Sequence, residues 1–150
     1  MQIEKQFSVS GVNKPAVLAN IARALADEKV NIKALIITDS KGADVMRMVV
    51  DKPDVARTLL SKFNSPFSEA NVISVDIPNR PGAFAALAEK LSRSHISIES
   101  AYCTAGGPAG KAIAIFQVPY IEQAKKVMLE AINRKPEKIR PNMRAPQGRR

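Results

Sequence analysis

Two short polar loops carry most of the usable chemistry in this chain. Asn13-Lys14-Pro15-Ala16 and, sixty-six residues later, Asn79-Arg80-Pro81-Gly82 each stand between a strand-like run and a helix-like one. An asparagine side chain donates and accepts at once, which suits a zwitterion carrying both ammonium and carboxylate. A helix start presents unpaired backbone N–H groups and positive dipole character, which suits a carboxylate. Gly82 lets a ligand approach the backbone closely. The plain alternative is that Asn-X-Pro is a helix entrance, with Asn13 and Asn79 as cap-region residues and Pro15 and Pro81 preset for the first turn. The repeat does not decide between these, because duplication copies structure as well as function.

The rest of the catalytic inventory is thin. The one histidine, His95, falls at a helix-to-strand junction in register with Lys29 and reads as an exposed loop residue. No acid or cysteine stands at motif spacing from it. The one cysteine, Cys103, aligns with Ile37 inside a strand and reads as a small core residue; its solitude excludes an internal disulfide framework and fits a reducing compartment. Metal ligands do not cluster, and no cofactor is implied. Gly106-Gly107-Pro108-Ala109-Gly110 shares only glycine content with a phosphate loop. It has no Gly-Lys-Ser/Thr ending and lies in a hairpin rather than before a helix. The chain reads as a non-enzyme.

The elements around the loops repeat with them. Phe7-Ser8-Val9 matches Ile73-Ser74-Val75, and Ala19, Ala22, Leu25, Ile32 and Thr38 match Ala85, Ala88, Leu91, Ile98 and Thr104. Beyond Thr38 the offset becomes sixty-eight, so Val50 matches Val118; the two added residues fall in the Gly106–Gly110 turn, where insertions are absorbed. Each unit begins with an alternating strand, Phe7, Val9 and Gly11 against Ser8 and Ser10, or Ile73, Val75 and Ile77 against Ser74 and Asp76. A helix with apolar residues at 3 and 4 spacing follows, Val17 to Leu25 or Phe84 to Leu91. Then come a hairpin (Val30–Thr38 with Ala43–Asp51; Ile96–Thr104 with Lys111–Val118) and a second helix (Asp54–Phe63; Ile121–Ile132).

A closing strand at Pro66–Ala70 completes a β-α-β-β-α-β order. The fold class is α+β: two ferredoxin-like units with antiparallel sheets, side by side, helices on one face. The units are 1–70 and 71–132, followed by a tail, 133–150. In the second unit the closing strand is poorly supplied, because Lys138-Ile139-Arg140 is charged and flanked by prolines; alternatively one strand around Ala70–Ile77 serves both units. The hairpins are apolar on both faces, Leu35 and Ile37 alternating with Ile32, Ala34 and Ile36. That pattern expects a second cover, supplied by another copy of the protein.

At 150 residues and 45% hydrophobic content, the chain can build such a core. No stretch approaches the roughly 20 apolar residues that span a bilayer, and Met1–Gln6 lacks the apolar segment of a secretory signal. A cytoplasmic protein without a membrane partner is expected. The net charge of +9 is concentrated in the tail, where seven basic residues face one acid, Glu137. With Pro136, Pro141 and Pro146 and almost no apolar content, the tail is expected to be disordered. An arm for nucleic acid or an acidic partner is the alternative function. Nucleic acid is disfavoured, since the rest of the chain has no basic stripe with interleaved aromatics.

One family shares this pattern. Ile77-Pro78-Asn79-Arg80-Pro81-Gly82-Ala83-Phe84, then a helix, then Ile96-Ser97-Ile98, resembles the ACT domain signature. The first copy matches as Asn13-Lys14-Pro15-Ala16-Val17-Leu18 with Val30-Asn31-Ile32. The resemblance covers about residues 6–132 and is similar to that of tandem stand-alone ACT proteins. It implies an amino-acid-binding regulatory module, a homodimer, a regulated partner enzyme, and ligands at a seam between units. Residue by residue it implies one site from Asn79, Arg80, Gly82, Ala83 and Phe84 with Asn31 of another unit, and a second from Asn13, Ala16 and Val17 with Ser97. Ala16 departs from the expected glycine and Ser97 from the expected asparagine, so the Asn79/Asn31 site is expected to bind better.

Overall fold

Alternation sets the first strand: Phe7 and Val9 are fully buried, while Ser8 and Ser10 are half-buried, as a strand with one face on a core requires. The computed structural model describes residues 1–40, 42–107 and 110–133. In it that strand is β1 (Gln2–Ser10), followed by α1 (Val17–Asp27), β2 (Ile32–Ser40), β3 (Ala43–Val50) and α2 (Pro53–Leu60). The order then repeats as β4 (Phe67–Pro78), α3 (Ala83–Arg93), β5 (Ser100–Gly107), β6 (Lys111–Gln117) and α4 (Ile121–Asn133). The six strands make one antiparallel sheet in the order β2-β3-β1-β4-β6-β5. The architecture is two ferredoxin-like units side by side in a continuous sheet.

The centre of that sheet is the β1–β4 ladder, from Gln2 opposite Ser74 to Val9 opposite Phe67. Lys5 pairs with Asn71 there, and these two are equivalents in the repeat. A pair that maps onto itself lies on a local twofold axis, so the sequence repeat is also a symmetry of the fold. β4 is unbroken across position 70/71. Its first part lies beside β1 in the fourth position of the first unit; its last part, Ile73–Pro78, pairs with β6 as the opening strand of the second. By the same symmetry, the early part of β1 fills the fourth position of the second unit. Residues 2–6 are mostly polar and carry little alternation, so this part of β1 is fixed by its partner β4 rather than by its own pattern. Lys138–Arg140 and the basic tail beyond Asn133 lie outside the described residues.

The helices pack on one face over two cores. Phe7, Ile21, Leu25, Met46, Met48 and Leu60 anchor the first, and Ile73, Leu87, Leu91, Phe116 and Met128 the second. The other face carries a smaller core of Ala34, Val49, Val72 and Ile115. This face was expected to need another copy for cover, and part of that cover comes from within the chain. The Tyr102 hydroxyl on β5 donates to Gln6 Oε1 on β1 at 3.0 Å, reaching over β6 and β4. The outermost strands β2 and β5 also approach each other to within 8 Å between Cα atoms. The sheet therefore curls toward its helix-free side.

Three expectations are corrected at the sheet edges. A bulge between Ile32 and Ala34 puts Ile32 with the helix-side core and Ala34 with the opposite one, so the two do not share a face. Leu35 and Ile37 pair with Met48 and Met46 on the helix side but remain 36% and 39% exposed, because β2 is an edge strand. Cys103 is exposed rather than buried, on the other edge strand, β5. That strand also starts at Ser100 rather than Ile96, leaving Ile98 exposed ahead of it. His95 is exposed, and its register with Lys29 is visible in the backbone: both take the left-handed conformation, φ 55° and 56°.

Candidate functional site

Each loop ends in the same turn. The Lys14 carbonyl accepts from the Val17 N–H at 3.2 Å, and the Arg80 carbonyl from the Ala83 N–H at 3.3 Å. Between them, Pro15 or Pro81 is followed by a left-handed residue, Ala16 with φ 71° or Gly82 with φ 85°. This is the type II turn, in which proline presets the first central position and the second requires positive φ. The helix caps are thus Ala16 and Gly82, not the asparagines, and each proline stands one residue ahead of its cap rather than inside the helix. Neither helix has a side-chain cap, so the next two N–H groups of each, Leu18 and Ala19 or Phe84 and Ala85, have no partner among the described residues and stay available to a ligand. Ala16 bears the left-handed strain of an L residue, roughly 1–2 kcal/mol. At Gly82 a Cβ would meet nothing within 4 Å, so the space above that backbone is open.

The loops are anchored differently. In the first, the buried carboxylate of Asp44, at the start of β3, accepts the N–H groups of Val12 and Asn13. In the second, the Asn79 N–H donates to the Gly110 carbonyl at 2.9 Å; the residue equivalent to Asp44 is Ala112. The side-chain amides of Asn13 and Asn79 are solvent-facing and have no hydrogen-bond partner among the described residues.

A cavity opens beside each corner, and the two are equivalent in the repeat. The first, about 390 Å³, is lined by Ser10, Gly11, Lys14, Val17, Asn20 and the segment Phe63 to Pro66. The second, about 290 Å³, is lined by Asp76, Ile77, Pro78, Arg80, Ala83, Ala86, Leu87, Ala131 and Ile132. Ser10, Lys14, Val17 and Asn20 of the first correspond to Asp76, Arg80, Ala83 and Ala86 of the second. Their chemistry differs. The first offers one cation, Lys14, among neutral polar groups. In the second a carboxylate and a guanidinium, Asp76 and Arg80, share an apolar wall. Opposite charges over an apolar surface match a zwitterion with an apolar side chain.

Of the residues expected at the site, Val17 lines the first cavity, and Arg80 and Ala83 the second. Phe84 stacks on Phe116, centroids 5.2 Å apart, and belongs to the core. Asn31 bonds through its N–H to Asp51 Oδ1 at 2.8 Å at the start of β2, with β3 and β1 standing between it and β4. Ser97 lines a separate open cavity with His95 and Ile98, and β6 and β4 separate β5 from β1. A single chain therefore brings neither Asn31 nor Ser97 to its expected corner. The sequence reading missed Asp76, the Phe63–Pro66 segment and Ile132. The repeat does align Phe63 with Ala131, but that both helix ends approach the loops is a tertiary fact without a local signal.

Turn, unfilled helix start and flanking cavity occur twice about one local axis. A family model described as an ACT domain pair matches residues 1–137. The chain belongs to that family. No curated protein matches it. Among solved structures, this ACT domain pair is similar to protein BT0572 from Bacteroides thetaiotaomicron, at 27% identity and a TM-score of 0.77, over 85% of this chain and 88% of that one. It also shares its fold with the ligand-free regulatory subunit of aspartate kinase from Thermus thermophilus. There the identity is 16% and the TM-score 0.60, over 85% and 92% of the two chains. The aspartokinase alpha and beta subunits give 19% and 0.60, over 87% and 93%. ACT domains are regulatory modules. Among the described residues, no helix is long and apolar enough to cross a membrane.

Proposed function

We propose that this ACT domain pair is a non-catalytic sensor that binds a small amino acid and passes the signal to a partner enzyme or regulator. The observation that carries the reading is the cavity at the second corner, where Asp76 and Arg80 face a common apolar wall beside the unfilled start of α3. Arg80 and the free N–H groups of Phe84 and Ala85 receive the carboxylate, Asp76 the ammonium, and Ala83, Ala86 and Ile132 the side chain. Regulatory-subunit neighbours of the same fold support the sensor role. Asn31 joins the corner from a second copy, whose β2 offers the exposed side chains of Leu35 and Ile37 as contact surface. Binding shifts the arrangement of copies only by its differential affinity for the two arrangements.

Calorimetric titration of an amino-acid panel tests this. Asn79→Ala and Arg80→Gln each weaken binding of the preferred amino acid about tenfold or more, since a hydrogen bond to a charged group contributes roughly 1.5–3 kcal/mol. Asn13→Ala has little effect. Equal losses at both asparagines overturn the asymmetry, and no binding by any amino acid overturns the sensor reading.

A further inference from the structure

The helix-free face of the sheet holds a polar network. Gln6 is fully buried: its amide donates to Gln117 Oε1 at 2.9 Å, and its carbonyl oxygen accepts from Tyr102. Gln117 in turn donates to Glu99 at 2.9 Å and accepts from Ser100 at 3.3 Å. Glu4 is tied to Lys33 through Oε1, while its buried Oε2 has no partner among the described residues. Burial pushes the Tyr102 hydroxyl up to about 12, against the opposing charge of Arg47 on the same face.

Arg47 stands outside this network. It is a half-buried residue, and among the described residues its one side-chain hydrogen bond is a long, exposed 3.5 Å bond to Thr38, with no carboxylate paired to it. Most of its five N–H donors therefore face the solvent side of this surface, free to take an incoming acceptor. The register explains what surrounds it. Arg47 pairs with Ser8, and Ser8 pairs with Ser68 on its other side, so directly opposed residues put a guanidinium and two hydroxyls in one row on one face. A cavity of about 400 Å³ opens over that row, lined by Ser8, Ser10, Arg47, Ser68 and Gln117, with no acidic residue in its lining.

We propose that this cavity binds a small oxyanion, the phosphate or carboxylate end of a metabolite, at a site separate from the two loop corners. A guanidinium takes two oxygens of such a group in parallel, and the serine hydroxyls complete its coordination. The residue equivalent to Arg47 is Ile115, so the local twofold does not create a second site.

Titration of the native protein with inorganic phosphate, and in a parallel arm with acetate, at constant ionic strength set with chloride, tests the proposal by two-dimensional ¹H–¹⁵N NMR. The Arg47 Nε–H and the Ser8 and Ser68 amides should shift and saturate in at least one arm; the tighter arm identifies the oxyanion. Arg47→Gln should raise the dissociation constant at least tenfold, and Asn79→Ala should leave it unchanged. Ser8→Ala/Ser68→Ala, which keeps Arg47, should weaken binding several-fold and covers a failure of the arginine variant to fold. Linear, unsaturated shifts in both arms, or equal affinity in the serine variant, overturn the proposal.

Discussion

At the first loop corner two backbone N–H groups converge on the buried carboxylate of Asp44, whereas at the second, among the described residues, the carbonyl of Gly110 alone holds Asn79. The backbones are otherwise alike: the same turn, left-handed caps at φ 71° and 85°, helices of equal length and cavities at equivalent positions. Duplication has preserved backbone geometry while side chains at fixed positions diverged. The corner that carries a strained alanine also carries the stronger anchor. The glycine corner needs less fixing and presents charges of both signs.

The largest test of this contrast is Asp44→Ala. It leaves the Val12 N–H, in a residue only 3% exposed, without its acceptor and removes a charged partner from Asn13. The expected loss of stability is roughly 2–3 kcal/mol, read as a lower denaturant midpoint with faster amide exchange in residues 12–16. Amino-acid binding at the second corner should survive. A loss below about 1 kcal/mol would mean that Asp44 does not hold the loop.

These anchors show where sequence reading stops. The repeat, the element order and the helix-side cores were legible because they rest on spacing: Phe7 and Val9 alternate, and Ile21 and Leu25 recur one turn apart. The two halves of β4 were harder: a single strand around Ala70–Ile77 serving both units was one of two readings the sequence left open, and the pairing of Phe67–Pro78 with β1 and then β6 along its length decides for it. At the corners the loop residues were found, but Asp76 and Ile132 were not, since what makes them neighbours of Arg80 is the approach of α4 to the end of β4. Asp44 left a trace as the lone acid at the head of an apolar strand, matched to Ala112. Nothing local says that its carboxylate reaches back to Val12.

Exchanging the two cap residues probes the same contrast more gently. Ala16→Gly relieves the left-handed strain and should stabilise the protein by about 0.5–1 kcal/mol after allowance for the freer unfolded chain. Gly82→Ala should cost about the same, because its new Cβ meets strain in φ but no neighbouring atom. Thermal unfolding reads both signs. The second variant also reports on the ligand: a Cβ in the open space above residue 82 should reduce amino-acid affinity by more than its stability effect. If affinity is untouched, the ligand does not approach that backbone.

The smallest effect concerns how each half fastens its fourth strand. In the first half, Arg57 on α2 grips Glu69 on β4 through Nε at 2.5 Å and Nη2 at 2.9 Å, and also reaches Asp54 at 2.6 Å. In the second half the equivalents are Lys125 and Ile3, and Met1 packs on the core there instead. The hydrogen bond from Arg57 holds the Glu69 carboxyl below its ordinary value of 4.5. A depressed folded value means that the stabilisation is fully present above about pH 4.5 and is lost as pH falls through the folded value. Glu69→Gln should therefore lower the urea midpoint slightly at pH 7, with the gap to the native protein closing as the solution is acidified, and high salt should narrow it as well, since the pair is solvent-accessible. Lys125→Gln should show no such acid dependence. A gap for Glu69→Gln that stays constant below pH 4 would mean that this strand is held by packing alone, as its symmetry mate is.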